Sequence, residues 1–163
     1  MIRKLITCAV AALALAACQP KSLPDQTSKS EAFLAQNAKQ AGVQTLPSGL
    51  QYKVVRSGAP DGLRPALGDE VKVNYEGKLI DGTVFDSSYE RGVPAAMPLR
   101  GLIPGWQEAL PLMRPGDEWI LYVPPKLGYG EEGAGGKIPP GAALIFRIEL
   151  LGVLPAEGRV QQG

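Results

Sequence analysis

The chain has 163 residues, 17 Lys and Arg against 16 Asp and Glu for a net charge of +1, and no histidine. That length fits one domain with short appendages. The missing imidazole excludes Ser-His-Asp and Cys-His catalysis, His-ligated zinc and a neutral-pH imidazole base, and balanced charge without a basic run argues against nucleic acid as a partner.

Residues 1–17 read as a bacterial-type export signal. Arg3 and Lys4 form a basic start, Leu5 to Ala17 an apolar run, and Leu15-Ala16-Ala17-Cys18 the cleavage box. The run is shorter than the roughly 20 residues that a membrane-spanning helix needs. Leu-Ala-Ala-Cys is similar to a lipobox, which makes Cys18 the first mature residue and the site of lipidation. Leu5-Ile6-Thr7-Cys8 is a poorer match, with Thr where Gly, Ala or Ser belongs. A plain secretory signal is the alternative, and it leaves Cys18 as a lone exposed thiol. Cys8 and Cys18 are the only cysteines, so on either reading the mature chain has no internal disulfide.

Residues 18–27, polar and with prolines at Pro20 and Pro24, read as a flexible tether. Ser28 followed by Glu31 is a capping-box signature. It predicts a short helix, within 28–45, that runs through Gln40 and stops at Gly42. Leu34, Ala38 and Ala41 share one of its faces, and so small an apolar face is expected to pack weakly.

From Leu50 the periodicity changes to two. Tyr52 and Val54 mark a first strand, and Val71, Val73 and Tyr75 point inward from a second. Asp81-Gly82, between Leu79-Ile80 and Val84-Phe85, signals a two-residue hairpin. Trp106, Ala109 and Leu110 lie on one face of a short helix closed by Pro111 and Pro115-Gly116. Trp119, Leu121 and Val123 alternate, as do Leu144, Phe146, Ile148 and Leu150. Half-buried strands need a cover on one face only, which one short helix can supply. The fold class is therefore α+β, an antiparallel sheet curled around one short helix over residues 46–154, with 155–163 as a frayed tail. The acidic pairs Asp69-Glu70, Asp117-Glu118 and Glu131-Glu132 sit at turns, which counts against an acid-base hydrolase.

Val73 to Pro94, Leu102 to Trp119 and Pro124 to Leu151 carry a joint pattern. In order they supply Tyr-x-Gly, the Asp-Gly hairpin, Phe-Asp-Ser-Ser, Gly-Trp, Gly-Tyr-Gly and Ile-Pro-Pro. This order and spacing resembles the FK506-binding-protein (FKBP) family of peptidyl-prolyl cis/trans isomerases, from about Leu46 to Leu151. Phe33 to Leu50 looks like the segment before the catalytic domain in the macrophage-infectivity-potentiator branch. The resemblance implies a half-barrel sheet, no metal and no cofactor. It places Tyr75, Phe85, Asp86, Arg91, Leu102, Ile103, Trp106, Tyr129, Ile138 and Phe146 around the substrate, and gives Asp86, Tyr129, Phe85 and Trp106 the catalytic roles. The implied partners are proline-containing clients, macrolide inhibitors and, through Cys18, the membrane. Two departures lie at the rim: Ala95 stands where the family carries a large aromatic residue, and Lys137 where it carries an apolar one.

The residue types suit the chemistry. Rotation about the X-Pro bond must cross about 18–20 kcal/mol because it destroys amide resonance. The planar amide is more dipolar than the twisted one, so an apolar pocket that excludes water from it favours the twisted form. Trp106 is the candidate floor, Tyr75, Phe85 and Phe146 the walls, and Leu102 and Ile103 offer apolar contact and a backbone N–H. The Tyr129 hydroxyl is placed to meet a substrate carbonyl, and Asp86 pairs with Arg91 at the rim. The alternative is a proline-segment-binding chaperone or adapter with little turnover. Branch relatives dimerise through a longer helical region, so a monomer is expected here. Gln19, after the lipidated cysteine, predicts sorting to the outer membrane, because an Asp there typically retains a lipoprotein at the inner one.

Overall fold

The structure, a computed structural model, describes residues 23–158. The export signal, Cys8, Cys18, the first part of the tether and the last residues of the tail lie outside that range. Seven strands form one sheet: β1 (Val43–Thr45), β2 (Gln51–Arg56), β3 (Glu70–Leu79), β4 (Val84–Ser87), β5 (Ala95–Pro98), β6 (Glu118–Val123) and β7 (Leu144–Leu154). Their order is β1-β2-β6-β7-β3-β4, and β5 shares the outer edge of β3 with β4. Every pairing is antiparallel.

The inner face is the one that the alternation marks. Val71, Val73, Leu121, Val123, Leu144, Ile148 and Leu150 are fully buried, with Tyr75, Trp119 and Phe146 nearly so. The helix against that face, α3 (Pro104–Ala109), starts with proline inside its first turn, where no N–H is needed, and continues into a 3-10 turn at Leu110–Leu112. It buries Trp106 and Ala109, and Leu110 follows them into the core. The buried turn acids act as tethers. Asp117 accepts from the Gly58 N–H at 2.6 Å and the Arg114 N–H at 2.9 Å, and Asp69 from Ala66 at 2.8 Å and Ala156 at 3.0 Å.

Two local expectations are corrected. The β3–β4 loop is not a two-residue turn: Leu79 N–H reaches Thr83 O at 2.9 Å, which leaves Ile80, Asp81 and Gly82 in a three-residue loop. Gly82 takes the left-handed conformation (φ +90°) that such loops place at their last position.

The first helix, α1 (Thr27–Asn37), begins at Thr27, whose N–H is accepted by the Asp25 side chain at 2.8 Å while the N-cap residue Gln26 makes no side-chain cap bond, and it leaves its regular path before Gln40. Ser28 is exposed and no capping box forms. Leu34 is only half-buried, and Ala38 and Ala41 face solvent. Instead, α1 docks through polar groups. Ser30 donates to Gly141 O and accepts from Ala143 N–H, both at 2.7 Å. Asn37 donates to Gln51 at 2.8 Å, and Gln51 donates to Leu34 O at 2.9 Å. The Phe33 ring adds a tilted contact with Tyr122 at 6.1 Å. The helix is pinned to the domain, not loosely laid on it.

Candidate active site

Four rings build the slot. Trp106 at the start of α3 meets Tyr75 of β3 edge-on at 5.3 Å and Phe146 of β7 edge-on at 5.2 Å. Phe146 in turn meets Phe85 of β4 edge-on at 5.6 Å. All three contacts are close to perpendicular, at 87°, the arrangement in which ring edges meet ring faces. The result is a cavity of about 520 Å³ with Trp106 at its base. Trp106 Nε1 is buried without an acceptor among the described residues.

Nine of the ten sequence-derived site residues line this cavity. The tenth, Arg91, does not. Arg91 ends the short helix α2 (Ser88–Arg91), which Ser87 caps by accepting the Glu90 N–H at 3.3 Å. From there its guanidinium pairs with Asp86, donates to the Tyr75 hydroxyl at 3.0 Å and lies 5.5 Å from the Tyr75 ring. The Tyr75 hydroxyl also donates to Asp86. Arg91 therefore stands behind the rim and fixes the two groups that face the slot.

Burial works to raise the Asp86 carboxyl, but the bonds from Tyr75 and Arg91 outweigh it and hold it below the ordinary carboxylate range. Burial, reinforced by the Asp86 carboxylate, pushes the Tyr75 hydroxyl up. Asp86 thus stays charged and Tyr75 neutral across the working range. The Asp86 contribution is present above the ordinary carboxylate pKa and is lost as pH falls through the lowered one. Turnover should accordingly be flat from about pH 5 to 8, with no inflection near neutrality, in a pH profile of kcat/KM.

The backbone donor expected from Leu102 and Ile103 comes from Ile103. Leu102 N–H is spent on Leu99 O at 3.2 Å, while Ile103 N–H reaches no backbone carbonyl among the described residues. Gln107 holds the segment in place, donating to Leu102 O at 2.7 Å and Arg100 O at 3.1 Å. On the far rim, Ala134 and Ile138 exchange backbone bonds of 2.9 Å, which presents Ile138 to the slot. Tyr129 is 40 % exposed, and its hydroxyl has no partner among the described residues. A hydroxyl and an N–H, both unspent, flank an apolar slot.

Residues 62–151 match the family described as FKBP-type peptidyl-prolyl cis-trans isomerase, and residues 8–54 the domain amino-terminal to it. The chain belongs to the FKBP-type isomerase family. It is 59% identical over 125 residues to the peptidyl-prolyl cis-trans isomerase Mip of Coxiella burnetii, covering 77% of this chain and 54% of that one. It is 46% identical over 136 residues to the outer membrane protein MIP of Legionella longbeachae, covering 83% and 58%. The chain thus spans little more than half the length of these relatives. A crystal structure of a peptidyl-prolyl cis-trans isomerase from Pseudomonas syringae superposes with TM-score 0.75 at 33% identity, covering 83% of this chain and all of that one.

Within this FKBP-type domain, sequence reading missed Met97, Gly101, Ala134 and Gly135, which also line the cavity. Met97 had a signal: on β5 it shares a face with Ala95, two residues away. Ala95 is partly buried against the core and does not reach the slot, so the apolar cover on that side comes from Met97. Lys137 does line the slot.

Proposed function

We propose that this protein is a peptidyl-prolyl cis/trans isomerase that turns X-Pro bonds in proline-containing clients without covalent chemistry. The observation that carries the reading is the slot itself: a Trp106 floor, three ring walls, and unspent donors at Ile103 and Tyr129. The proline ring sits on Trp106, and the apolar walls keep water from the X-Pro carbonyl as its dipole falls during twisting. Tyr129 and the Ile103 N–H hold the flanking carbonyls, and Asp86, set by Arg91, gives the rim a fixed negative group.

The test is an X-Pro isomerisation assay on a tetrapeptide with a protein beginning at Gln19. Catalysis is expected without added metal and unchanged by chelator. Asp86→Leu should lower kcat/KM roughly 10- to 100-fold, the weight of one or two charge-assisted hydrogen bonds. A wild-type protein that binds the peptide tightly with no rate enhancement would favour a binding module instead.

The proposal extends to location. Among the described residues no helix is long and apolar enough to cross a membrane. The Leu-Ala-Ala-Cys box and the Gln19 that follows it support lipid anchoring at Cys18 and the periplasmic face of the outer membrane, with the domain a monomer on its tether. Two or more acyl chains give stable anchoring at about 0.8 kcal/mol per buried methylene. Fractionation of wild type and Cys18→Ala checks this: the wild type should sediment with outer membranes and the variant should be released. A wild type found mainly in the soluble fraction ends the anchor.

A further inference from the structure

Beside the proline slot lies a second cavity, of about 800 Å³. One wall is the N-terminal end of α1 with Leu23 and Lys29, another the tip of the β3–β4 hairpin with Ile80 and Val84, and Pro139 and Ala142 close the third. Phe85 and Lys137 line both cavities. The two spaces are therefore neighbours across one ring and one lysine. A chain whose proline rests on Trp106 can leave the slot over Phe85 and pass directly into the groove.

The groove exists because α1 is pinned. Gln26 N–H reaches Pro140 O at 2.9 Å, and Ser30 bonds Gly141 and Ala143. These bonds hold the helix beside the same loop that carries Ile138 to the slot. Without that wall, the outer side of the hairpin would be an open edge.

Its chemistry points to an occupant. Leu23 and Val84 are 37% and 39% exposed, so the groove leaves aliphatic surface to solvent. Lys137, at the junction, forms no ion pair among the described residues. We propose that the groove is a flank subsite: it takes apolar residues a few positions from the client proline, with an acidic side chain answered by Lys137. The proposal rests on the isomerase reading of the neighbouring slot. It makes the N-terminal helix part of substrate selection.

The experiment compares kcat/KM for an X-Pro tetrapeptide with that for two longer peptides. Each carries the same core and an apolar, acid-containing extension, one before the proline and one after it. The wild type is expected to prefer one extended peptide by about tenfold, the scale of one well-buried apolar side chain. Val84→Glu should abolish that preference through KM and leave the tetrapeptide rate within about twofold. Lys29→Glu, on the exposed side of α1, is a second groove variant with the same expectation and little risk to folding. Equal rates on all three peptides, or variants that lower every substrate alike, would overturn the flank subsite while the isomerase reading stands. A wild type inactive on the tetrapeptide as well would remove both. If the wild type is a dimer in sedimentation and Val84→Glu a monomer, the groove belongs to a second copy and the proposal fails.

Discussion

Replacing Gly77 by alanine is expected to remove most of the turnover while leaving the protein folded. Gly77 lies in β3, in the Tyr-x-Gly motif, paired with Asp86 on one side and Phe146 on the other. Its φ is not positive, so glycine is not there for backbone freedom. It is there for room. A Cβ at this position would sit 2.7 Å from Phe146 Cε1 and 2.7 Å from Phe85 Cε2 and Cζ. Pairing on both sides restrains the strand, so the rings must give way. Phe146 is 4% exposed and packed within the core. Both rings border the cavity, but Phe85 is only partly buried, so it is the ring that swings. Overpacking of this kind costs about 1–3 kcal/mol, and the displaced wall should lower kcat/KM roughly 10- to 100-fold. Gly77→Val should be worse on both counts. The check is the tetrapeptide assay beside a thermal melt; full activity in Gly77→Ala would mean that Phe85 is not a working wall.

The sheet was legible because its chemistry is local. Alternation at Val71-Val73-Tyr75, Trp119-Leu121-Val123 and Leu144 to Leu150 reports burial two residues at a time, and each set is buried on the inner face. Tyr75 and Phe146 sit on two of those strands, whereas Phe85 on β4 and Trp106 on α3 were grouped with them by the FKBP resemblance and not by alternation alone. Most of what escaped the sequence depends on partners beyond the local pattern. Nothing near Ser30 announces that its hydroxyl will bridge Gly141 and Ala143, more than a hundred positions away. The Asp86–Arg91 pair was readable from its short spacing, but nothing near Arg91 says that its guanidinium also reaches the Tyr75 hydroxyl on another strand and so stands behind the rim. Leu102 and Ile103 look equivalent as donors until the turn at Leu99–Gly101 consumes one N–H. The capping rule misplaced the start of α1 for a related reason. A Ser-x-x-Glu pattern shows that a cap is possible, whereas the contacts of Gln26 and Ser30 with the 140–143 segment decide where the helix sits.

The comparison of Ser30 with Ser28 tests that difference directly. Ser30 is fully buried and satisfies two backbone groups, the Gly141 carbonyl and the Ala143 N–H. Ser30→Ala deletes both bonds at once and leaves a buried donor and a buried acceptor without partners. Each orphan costs about 1–3 kcal/mol, so the loss should be roughly 2–6 kcal/mol. In a domain of this size that lowers the melting temperature by roughly 5–20 °C. The damage should be concentrated where the bonds are, with the Ala143 amide exchanging faster with solvent and the core strands little changed. Ser28, the residue favoured by the sequence pattern, is exposed and caps nothing. Ser28→Ala should therefore change stability by less than about 0.5 kcal/mol. Paired melts of the two variants give the answer: if Ser28→Ala loses as much as Ser30→Ala, the helix is held by its cap, and the polar bridge to residues 141–143 is not what secures it.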